Sequence, residues 1–240
     1  MCGRFTLRTP AARLIEIFDV PDMPALAPRY NIAPTQLILC IRAFSDHPDT
    51  SEALLMKWGL IPFWAKDMAI GNRMINARSE TVAEKPAFRS AFAKRRCLVP
   101  ADGFFEWQKL STGKKQPWLM EVNDGEPFAM AGLWETWQPK EDPDAPAVVS
   151  CSILTTSANE EMQRLHDRMP VILPIETWAK WLDPKSSPVQ CRRLLQPLAN
   201  GQLSQVCVST TVNRPFPDSP ECLIPVDPPE PLPEHREETP

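Results

Sequence analysis

Apolar stretches separated by turn-forming residues recur along most of the chain and predict a protein rich in β-strands. Seven segments combine apolar, β-branched and aromatic residues and are bounded by Pro, Gly, Asp or Asn. They are TQLILCIRAF, SEALLMKW, CLVPADGFFEW, PWLMEV, FAMAGLWETW, VVSCSILTTSA and QVCVSTTVN. Seven strands require a sheet that closes or folds on itself, because each apolar face must be covered.

Helical patterns fall between some of these strands. Thr9 followed by Pro10 predicts the N-cap and first position of a short helix. Its apolar face is formed by Leu14, Ile17 and Phe18. Further helical patterns are SETVAEKPAFRSAFAKRR, SANEEMQRLHD, PIETWAKWLD and SSPVQCRRLLQPL. The predicted fold class is α+β, a single compact domain over residues 1–226 with a mixed, barrel-like β-sheet and flanking short helices.

The last fourteen residues, DPPEPLPEHREETP, hold five acids and one Arg. Their proline density forbids regular structure, so residues 227–240 are predicted to form a disordered, solvated tail. No apolar run approaches the roughly 20 residues of a membrane span, and the first ten residues carry no export signal. We therefore expect a cytoplasmic protein.

Charge is unevenly distributed along the chain. The net charge is −4, but residues 1–100 carry 14 Lys and Arg against 9 Asp and Glu, whereas residues 101–240 carry 12 against 21. The first part thus has a net charge of +5 and the second of −9. This split argues against indiscriminate nucleic-acid binding and permits a local basic groove.

The seven cysteines are scattered, without a CxxC pair, and only three histidines accompany them. Neither a disulfide framework nor a metal site is indicated. Five lie in apolar stretches, where a cysteine is usually a small buried hydrophobe. These are Cys40, Cys97, Cys151, Cys207 and Cys222.

Cys2 differs, because removal of Met1 would give one residue both a thiol and a free α-amine. The α-amine has an ordinary pKa of about 7.7 to 8.0, so part of it is neutral near pH 7. Such a 1,2-aminothiol reacts with an aldehyde first as an imine and then as a closed thiazolidine ring. The alternative is that Cys2 is a tolerated terminal residue without chemistry.

Two other stretches carry side chains suited to acid–base chemistry. GFFEW places Glu106 between aromatics, where a carboxyl group would have a raised pKa. NEEMQRLHDRMPVIL supplies His166 just before an apolar strand. Together with Cys2 they match the general pattern of a thiol active site. Alternatively, Glu106 is an exposed strand residue and His166 caps a helix or pairs with Asp167.

Two further motifs offer polar or aromatic side chains for binding. INARSET contains Asn76 and Arg78, whose structural alternatives are an ordinary turn residue and a solvated arginine. KWGLIPFWAKD places Phe63 and Trp64 beside Lys66. Aromatic rings beside a cation suit stacking on unpaired bases, although tryptophan is more often a core residue.

Seven motifs in order along the chain carry a resemblance to a known family. They are MCGRF, RYNIAP, KWGLIPFW, INARSET, RCLVPADGFFEW, LTTSAN and HDRMPVIL, and the resemblance that they carry covers nearly the whole chain, to about Val226. The sequence resembles the SRAP (SOS response-associated peptidase) family. This resemblance implies a compact, barrel-like α+β domain with a positively charged DNA channel.

The resemblance also implies an activity in the DNA damage response: recognition of abasic sites in single-stranded DNA and their covalent capture as a thiazolidine crosslink. By motif, Cys2 is the nucleophile and Asn76 positions it. Glu106 serves proton transfer during imine formation, and His166 assists opening of the sugar and reversal.

The implied DNA-binding residues come from the same motifs. Arg4 and Arg78 are expected to hold backbone phosphates, with Arg168 also contacting DNA. Phe63 and Trp64 are expected to wedge against bases. The family often has two tryptophans here, so Phe63 departs mildly from its pattern.

Two other functions remain open at this stage. One is a thiol peptidase that uses Cys2, Glu106 and His166, either on its own initiator methionine or on other proteins. The other is a non-covalent single-strand DNA binder. A weak lyase activity at the abasic site is a related expectation. No cofactor and no metal are expected, and the protein is expected to be a monomer.

Overall fold

A computed structural model describes residues 2–44, 50–139, 141–142 and 144–233. It contains thirteen strands in this part of the chain. They are β1 (Phe5–Leu7), β2 (Arg29–Ile32), β3 (Leu37–Ala43), β4 (Ser51–Trp58), β5 (Asn76–Arg78), β6 (Arg96–Ala101), β7 (Gly103–Lys109), β8 (Lys115–Val122), β9 (Phe128–Trp137), β10 (Val148–Ser157), β11 (Arg168–Pro170), β12 (Ile172–Leu173) and β13 (Leu203–Cys207).

Ten short helices accompany the strands in the described residues. The α-helices are α1 (Ala11–Phe18), α2 (Arg89–Lys94), α3 (Glu160–Gln163), α4 (Trp178–Leu182) and α5 (Pro188–Arg192). The 3-10 helices are Met68–Arg73, Asn123–Gly125, Ile175–Thr177, Thr210–Asn213 and Pro220–Leu223. Each predicted helical segment contains helix, but only over a few residues.

Five strands form a closed barrel in the order β3, β4, β10, β9, β6 and back to β3. The pairing of β4 with β10 is parallel and the other four pairings are antiparallel, so the barrel is mixed. At one point the barrel interior has no room for a side chain. A Cβ on Gly132 would lie 2.8 Å from the Cys97 sulfur. The predicted α+β class with a barrel-like mixed sheet is confirmed.

A second, antiparallel sheet lies beside the barrel in the order β13, β8, β7, β1, β2. The segment CLVPADGFFEW, predicted as one strand, is divided between the two sheets: β6 belongs to the barrel and β7 to the second sheet. The turn falls at Asp102, whose buried carboxylate accepts hydrogen bonds from the backbone N–H groups of Arg8 and Thr9. Asp102 thereby joins β1 to the junction between the sheets.

The predicted cap of the first helix is wrong in one respect. Pro10, rather than Thr9, occupies the N-cap position of α1, and no side chain caps it. The Thr9 hydroxyl instead donates to Asp102 at 3.0 Å. The predicted apolar face is confirmed, since Leu14 and Phe18 are buried and Ile17 packs against the core.

All seven cysteines are free thiols and all are buried. Three converge inside the barrel, where the sulfurs of Cys40 and Cys151 lie 3.7 Å apart and Cys97 lies close to Cys40. Burial raises the pKa of Cys40 and Cys151. The interpretation of the barrel cysteines as buried hydrophobes is confirmed.

The C-terminal segment lies against the body as far as it is described. The Glu230 carboxylate accepts hydrogen bonds from the backbone and hydroxyl of Ser111, and Arg164 donates to the carbonyl oxygen of Pro233 at 3.0 Å. Leu232 packs against the main core. Residues 234–240 lie outside the described residues. The domain boundary at residue 226 stays a prediction.

Two further findings concern the described part of the chain. No helix in it is long and apolar enough to cross a membrane. No group of three or more His, Cys, Asp or Glu side chains within these ranges is arranged to hold a metal ion.

Candidate active site around Cys2

Pairing between β1 and β7 brings Cys2 close to Glu106. The two strands are antiparallel, and the backbone N–H of Phe105 donates to the carbonyl oxygen of Arg4 at 2.9 Å. Following β1 back toward the start of the chain therefore leads to the part of β7 that carries Glu106. The two side chains are near enough for the negative charge of Glu106 to affect the pKa of the Cys2 thiol.

The Cys2 side chain is fully buried in the chain that carries Met1. Burial raises the pKa of its thiol to about 12, and the negative charge of Glu106 adds to the increase. A thiol with this pKa is almost entirely protonated at neutral pH. It can react as a thiolate only if a neighbouring group takes its proton.

Asn76 holds the backbone at Cys2. Its side-chain Nδ2 donates a hydrogen bond to the carbonyl oxygen of Cys2 at 2.8 Å. Asn76 is the first residue of β5, which pairs in parallel with β10 through Ile153. The other amide atom, Oδ1, is buried without a hydrogen-bond partner in the part of the chain that is described. Asn76 Oδ1 is thus a hydrogen-bond acceptor available beside Cys2.

Glu106 is a buried carboxyl group in the middle of β7. It lies opposite Trp118 in the register with β8, and only 3% of the residue is exposed. Its chain neighbours Phe105 and Trp107 have ring centroids 6.4 Å apart. The alternative of an exposed strand residue is therefore wrong. A carboxyl group held near a thiol and away from solvent is suited to proton transfer.

His166 lies between α3 and β11, and its ring is held through Nδ1. This nitrogen lies 2.7 Å from a carboxylate oxygen of Asp167 and 2.9 Å from the backbone N–H of Arg168. The backbone N–H donates when Nδ1 is unprotonated, and Asp167 accepts when it is protonated. β10 connects this region to Asn76, because Thr155 pairs with β5 on one side and β11 on the other.

Arg78 and the aromatic pair are the exposed members of the predicted set. Arg78 is exposed at the end of β5 and has no ion-pair partner among the residues described. Phe63 and Trp64 are 56% and 41% exposed. A free guanidinium and two exposed rings fit the predicted contacts with phosphate and bases.

The model of the SOS response associated peptidase (SRAP) family matches residues 1–215. The chain belongs to the SRAP family.

Relatives of this SRAP chain include bacterial and vertebrate proteins. It is 43% identical over 227 residues to the abasic site processing protein YoqW of Bacillus subtilis, covering 93% of this chain and 99% of that protein. It is 32% identical over 230 residues to the abasic site processing protein HMCES of Xenopus tropicalis, covering 84% of this chain and 67% of that protein. The crystal structure of a Bacteroides thetaiotaomicron protein matches with a TM-score of 0.82 and 26% identity, over 94% of this chain and 100% of that one.

Two predicted DNA-binding arginines of the SRAP chain are already engaged by protein groups. Nη1 of Arg4 donates to Asn31 Oδ1 at 2.6 Å and to the carbonyl oxygen of Val212 at 2.8 Å. The Arg168 guanidinium donates hydrogen bonds to both carboxylate oxygens of Glu80. Their phosphate contacts stay predictions.

The sequence analysis did not identify Asn31 and Glu80, the two residues whose side chains accept hydrogen bonds from these arginines. Asn31 is fully buried and ties Arg4 to the carbonyl oxygen of Arg214. Glu80 follows Arg78 by two residues in INARSET. A carboxylate so close to a predicted DNA-binding arginine was the signal that could have identified Glu80 as part of the site. Nothing in the spacing indicated that Glu80 pairs with Arg168, 88 residues away in the chain.

Proposed function

We propose that this protein captures abasic sites in single-stranded DNA covalently through Cys2 after loss of Met1. The observation that carries the proposal is the position of Cys2, with its carbonyl oxygen bonded to the Asn76 amide and its thiol near the buried Glu106. Relatives that match 93% and 84% of the chain are named abasic site processing proteins, which supports DNA with abasic sites as the partner.

The proposed reaction needs only the aldehyde of the opened deoxyribose and the two nucleophiles of Cys2. The α-amine adds to the aldehyde carbon, and the adduct loses one water to form an imine. The sulfur then adds to the imine carbon, its proton passes to nitrogen, and a five-membered thiazolidine ring closes. Atoms balance with one water released, and no oxidant or reductant is involved.

Each polar residue of the site has a defined role in these reaction steps. Glu106 accepts a proton from the attacking amine and returns one to the departing hydroxyl group. The Asn76 amide fixes the main chain at Cys2, so that nitrogen and sulfur meet the same carbon. His166 protonates the sugar ring oxygen as the ring opens. The buried thiol closes the ring only after the imine has formed.

Single-strand binding rests on the exposed residues. Arg78 contacts a backbone phosphate, while Phe63 and Trp64 stack against bases. These contacts do not distinguish one base from another, so we propose that binding has little sequence preference. Because phosphate contacts contribute to it, the affinity should depend strongly on salt. Cys2, Asn76 and Glu106 come from one chain, which supports action as a monomer.

The deciding experiment is intact-mass analysis of the protein incubated with a single strand that bears one abasic site. We expect a product lacking Met1 and equal to protein plus strand minus one water. Cys2→Ala should give no such product, whereas Cys191→Ala, which removes a buried thiol from α5, should react like the wild type. Absence of the adduct in the wild type, or its full retention in Cys2→Ala, would reject the proposal.

A thiol peptidase that acts on other proteins has less support from the site. Its first step needs the Cys2 thiolate, and in the chain that carries Met1 burial raises the pKa of this thiol to about 12. Covalent capture instead begins with the α-amine, and the thiol adds only after the imine has formed. Self-removal of Met1 would use the same thiol. Loss of Met1 at the wild-type rate in Glu106→Gln would assign that step to another enzyme.

A further inference from the structure

Arg168 and Glu80 form a two-point ion pair at the edge of the proposed DNA site. Nη1 of Arg168 donates to Oε1 of Glu80 at 2.6 Å, and Nη2 donates to Oε2 at 2.9 Å. This is the arrangement in which a guanidinium group also holds two oxygens of a phosphate. Glu80 therefore fills the donor pair that a DNA phosphate would require.

Arg168 is held in place independently of Glu80. Its Nη2 also donates to the carbonyl oxygen of Thr155 at 2.6 Å, and the side chain is only 13% exposed. The Glu80 side chain is 50% exposed. Glu80 can consequently move into solvent while Arg168 keeps its anchor on β10.

The surroundings of the pair point to an anion as the competing ligand. Arg78 is exposed and stands two residues before Glu80, with the buried Ser79 between them. In the register of the sheet, Arg78 lies opposite Thr155, the residue that anchors Arg168. Arg78 and Arg168 are thus both next to Thr155, and displacement of Glu80 would leave both cationic groups available to one DNA backbone.

We propose that Glu80 is an internal competitor for the DNA phosphate at Arg168, and that it weakens the binding of strands that do not engage this site well. The inference rests on the proposed function, because it takes single-stranded DNA as the ligand. A carboxylate and a phosphate cannot share the same two N–H donors. A strand must therefore displace Glu80 before one of its phosphates gains the two-point contact with Nη1 and Nη2 of Arg168, and Glu80 acts as a specificity-determining residue.

The test compares variants at residue 80 in equilibrium binding to an intact single strand. Glu80→Gln removes the charge, and we expect its affinity to rise about two- to fivefold, the range of an exposed charge pair. Glu80→Asp keeps the charge but shortens the side chain. It should also bind more tightly than the wild type if occupation of the donors, rather than charge alone, is responsible.

Two controls separate this role from a change in overall charge or in stability. Glu84→Gln makes the same charge change at an exposed residue of the same segment, and its affinity should stay at the wild-type value. In an Arg168→Ala background, Glu80→Gln should produce no gain. Thermal unfolding should show that the Glu80 variants fold like the wild type.

The outcomes distinguish this inference from the proposed function. Weaker or unchanged binding by Glu80→Gln, with normal adduct formation by the wild type, would overturn the competitor role and leave the proposed function standing. Weaker binding would mean that Glu80 orients Arg168. A gain that depends on Arg168, in a protein that forms no adduct, would support the competitor role and reject covalent capture.

Discussion

The side-chain amide of Asn76 donates a hydrogen bond to the main-chain carbonyl oxygen of Cys2 at 2.8 Å. The contact joins the beginning of the chain to β5, 74 residues later. It involves the main chain rather than the thiol, so Asn76 determines where the nitrogen and sulfur of Cys2 lie together.

Replacing Asn76 by Asp should slow adduct formation strongly. The new carboxylate has no N–H group and would repel the Cys2 carbonyl oxygen. We expect a rate about 100-fold lower, a loss that a displacement of about 1 Å at a reacting group can cause. The measurement is the rate of adduct formation at saturating abasic strand. Asn72→Asp, at an exposed residue of the Met68–Arg73 helix, is the matched control and should react normally.

In the chain that retains Met1, the rate of Cys2 alkylation should keep rising with pH through pH 10. With the thiol pKa raised to about 12, the thiolate fraction rises about tenfold per pH unit through pH 10. Iodoacetamide labelling of the Cys2 peptide, followed by mass spectrometry, should follow that slope. A plateau below pH 9.5 would contradict the raised pKa.

Neutralising Glu106 should change labelling and adduct formation in opposite directions. The negative charge of Glu106 raises the pKa of Cys2, so Glu106→Gln lowers this pKa and speeds alkylation at a given pH. The same change removes the proton carrier, and adduct formation should fall by about 10² to 10⁴-fold. Glu126→Gln, at an exposed residue, should alter neither rate. A parallel loss of both rates would indicate general damage to the site.

Arg78 and Arg4 should differ in what their replacement affects. Arg78→Gln should weaken single-strand binding and reduce the magnitude of the log–log salt slope by about 0.7, since one phosphate contact is lost. Arg4→Gln should lower the free energy of unfolding by about 1 to 3 kcal/mol, because Asn31 and the Val212 carbonyl lose their donor. Salt titration and denaturant unfolding are the measurements. Arg193→Gln, at an exposed residue, should leave both quantities unchanged.

The segment after residue 229 should contribute to stability. A chain that ends at Pro229 lacks the groups that accept hydrogen bonds from Ser111 and Arg164. It also lacks the Pro231 carbonyl oxygen, which accepts from the buried Gln108 amide. We expect the free energy of unfolding to fall by about 1 to 3 kcal/mol. A chain ended at Pro233 keeps these contacts and is the control. Equal unfolding midpoints for the two chains would show that the contacts add nothing.

Local sequence patterns predicted most of the secondary structure. Six of the seven predicted strands are present, one of them divided between two sheets, because β-branched and aromatic runs favour extended backbone wherever they lie. The seventh, QVCVSTTVN, is wrong over its second half: the strand ends at Cys207, and Thr210–Asn213 forms a 3-10 helix in which the Ser209 hydroxyl accepts from the backbone N–H of Thr211. The short strands β1, β2 and β5 carry Arg4, Asn31 or Asn76 at or beside them, and they were not predicted. Segments of three or four residues are too short for a periodic signal, and distant partners stabilise them.

The sequence by itself determined the family to which the chain belongs and predicted a chemistry for Cys2, because residue identity and motif order do not depend on packing. Only the tertiary structure decided that Glu106 is buried near Cys2, that Asn76 holds the Cys2 carbonyl, and that Glu80 occupies Arg168. Burial and ion pairing depend on contacts between residues far apart in the chain. No local pattern records which distant group will take a given hydrogen bond.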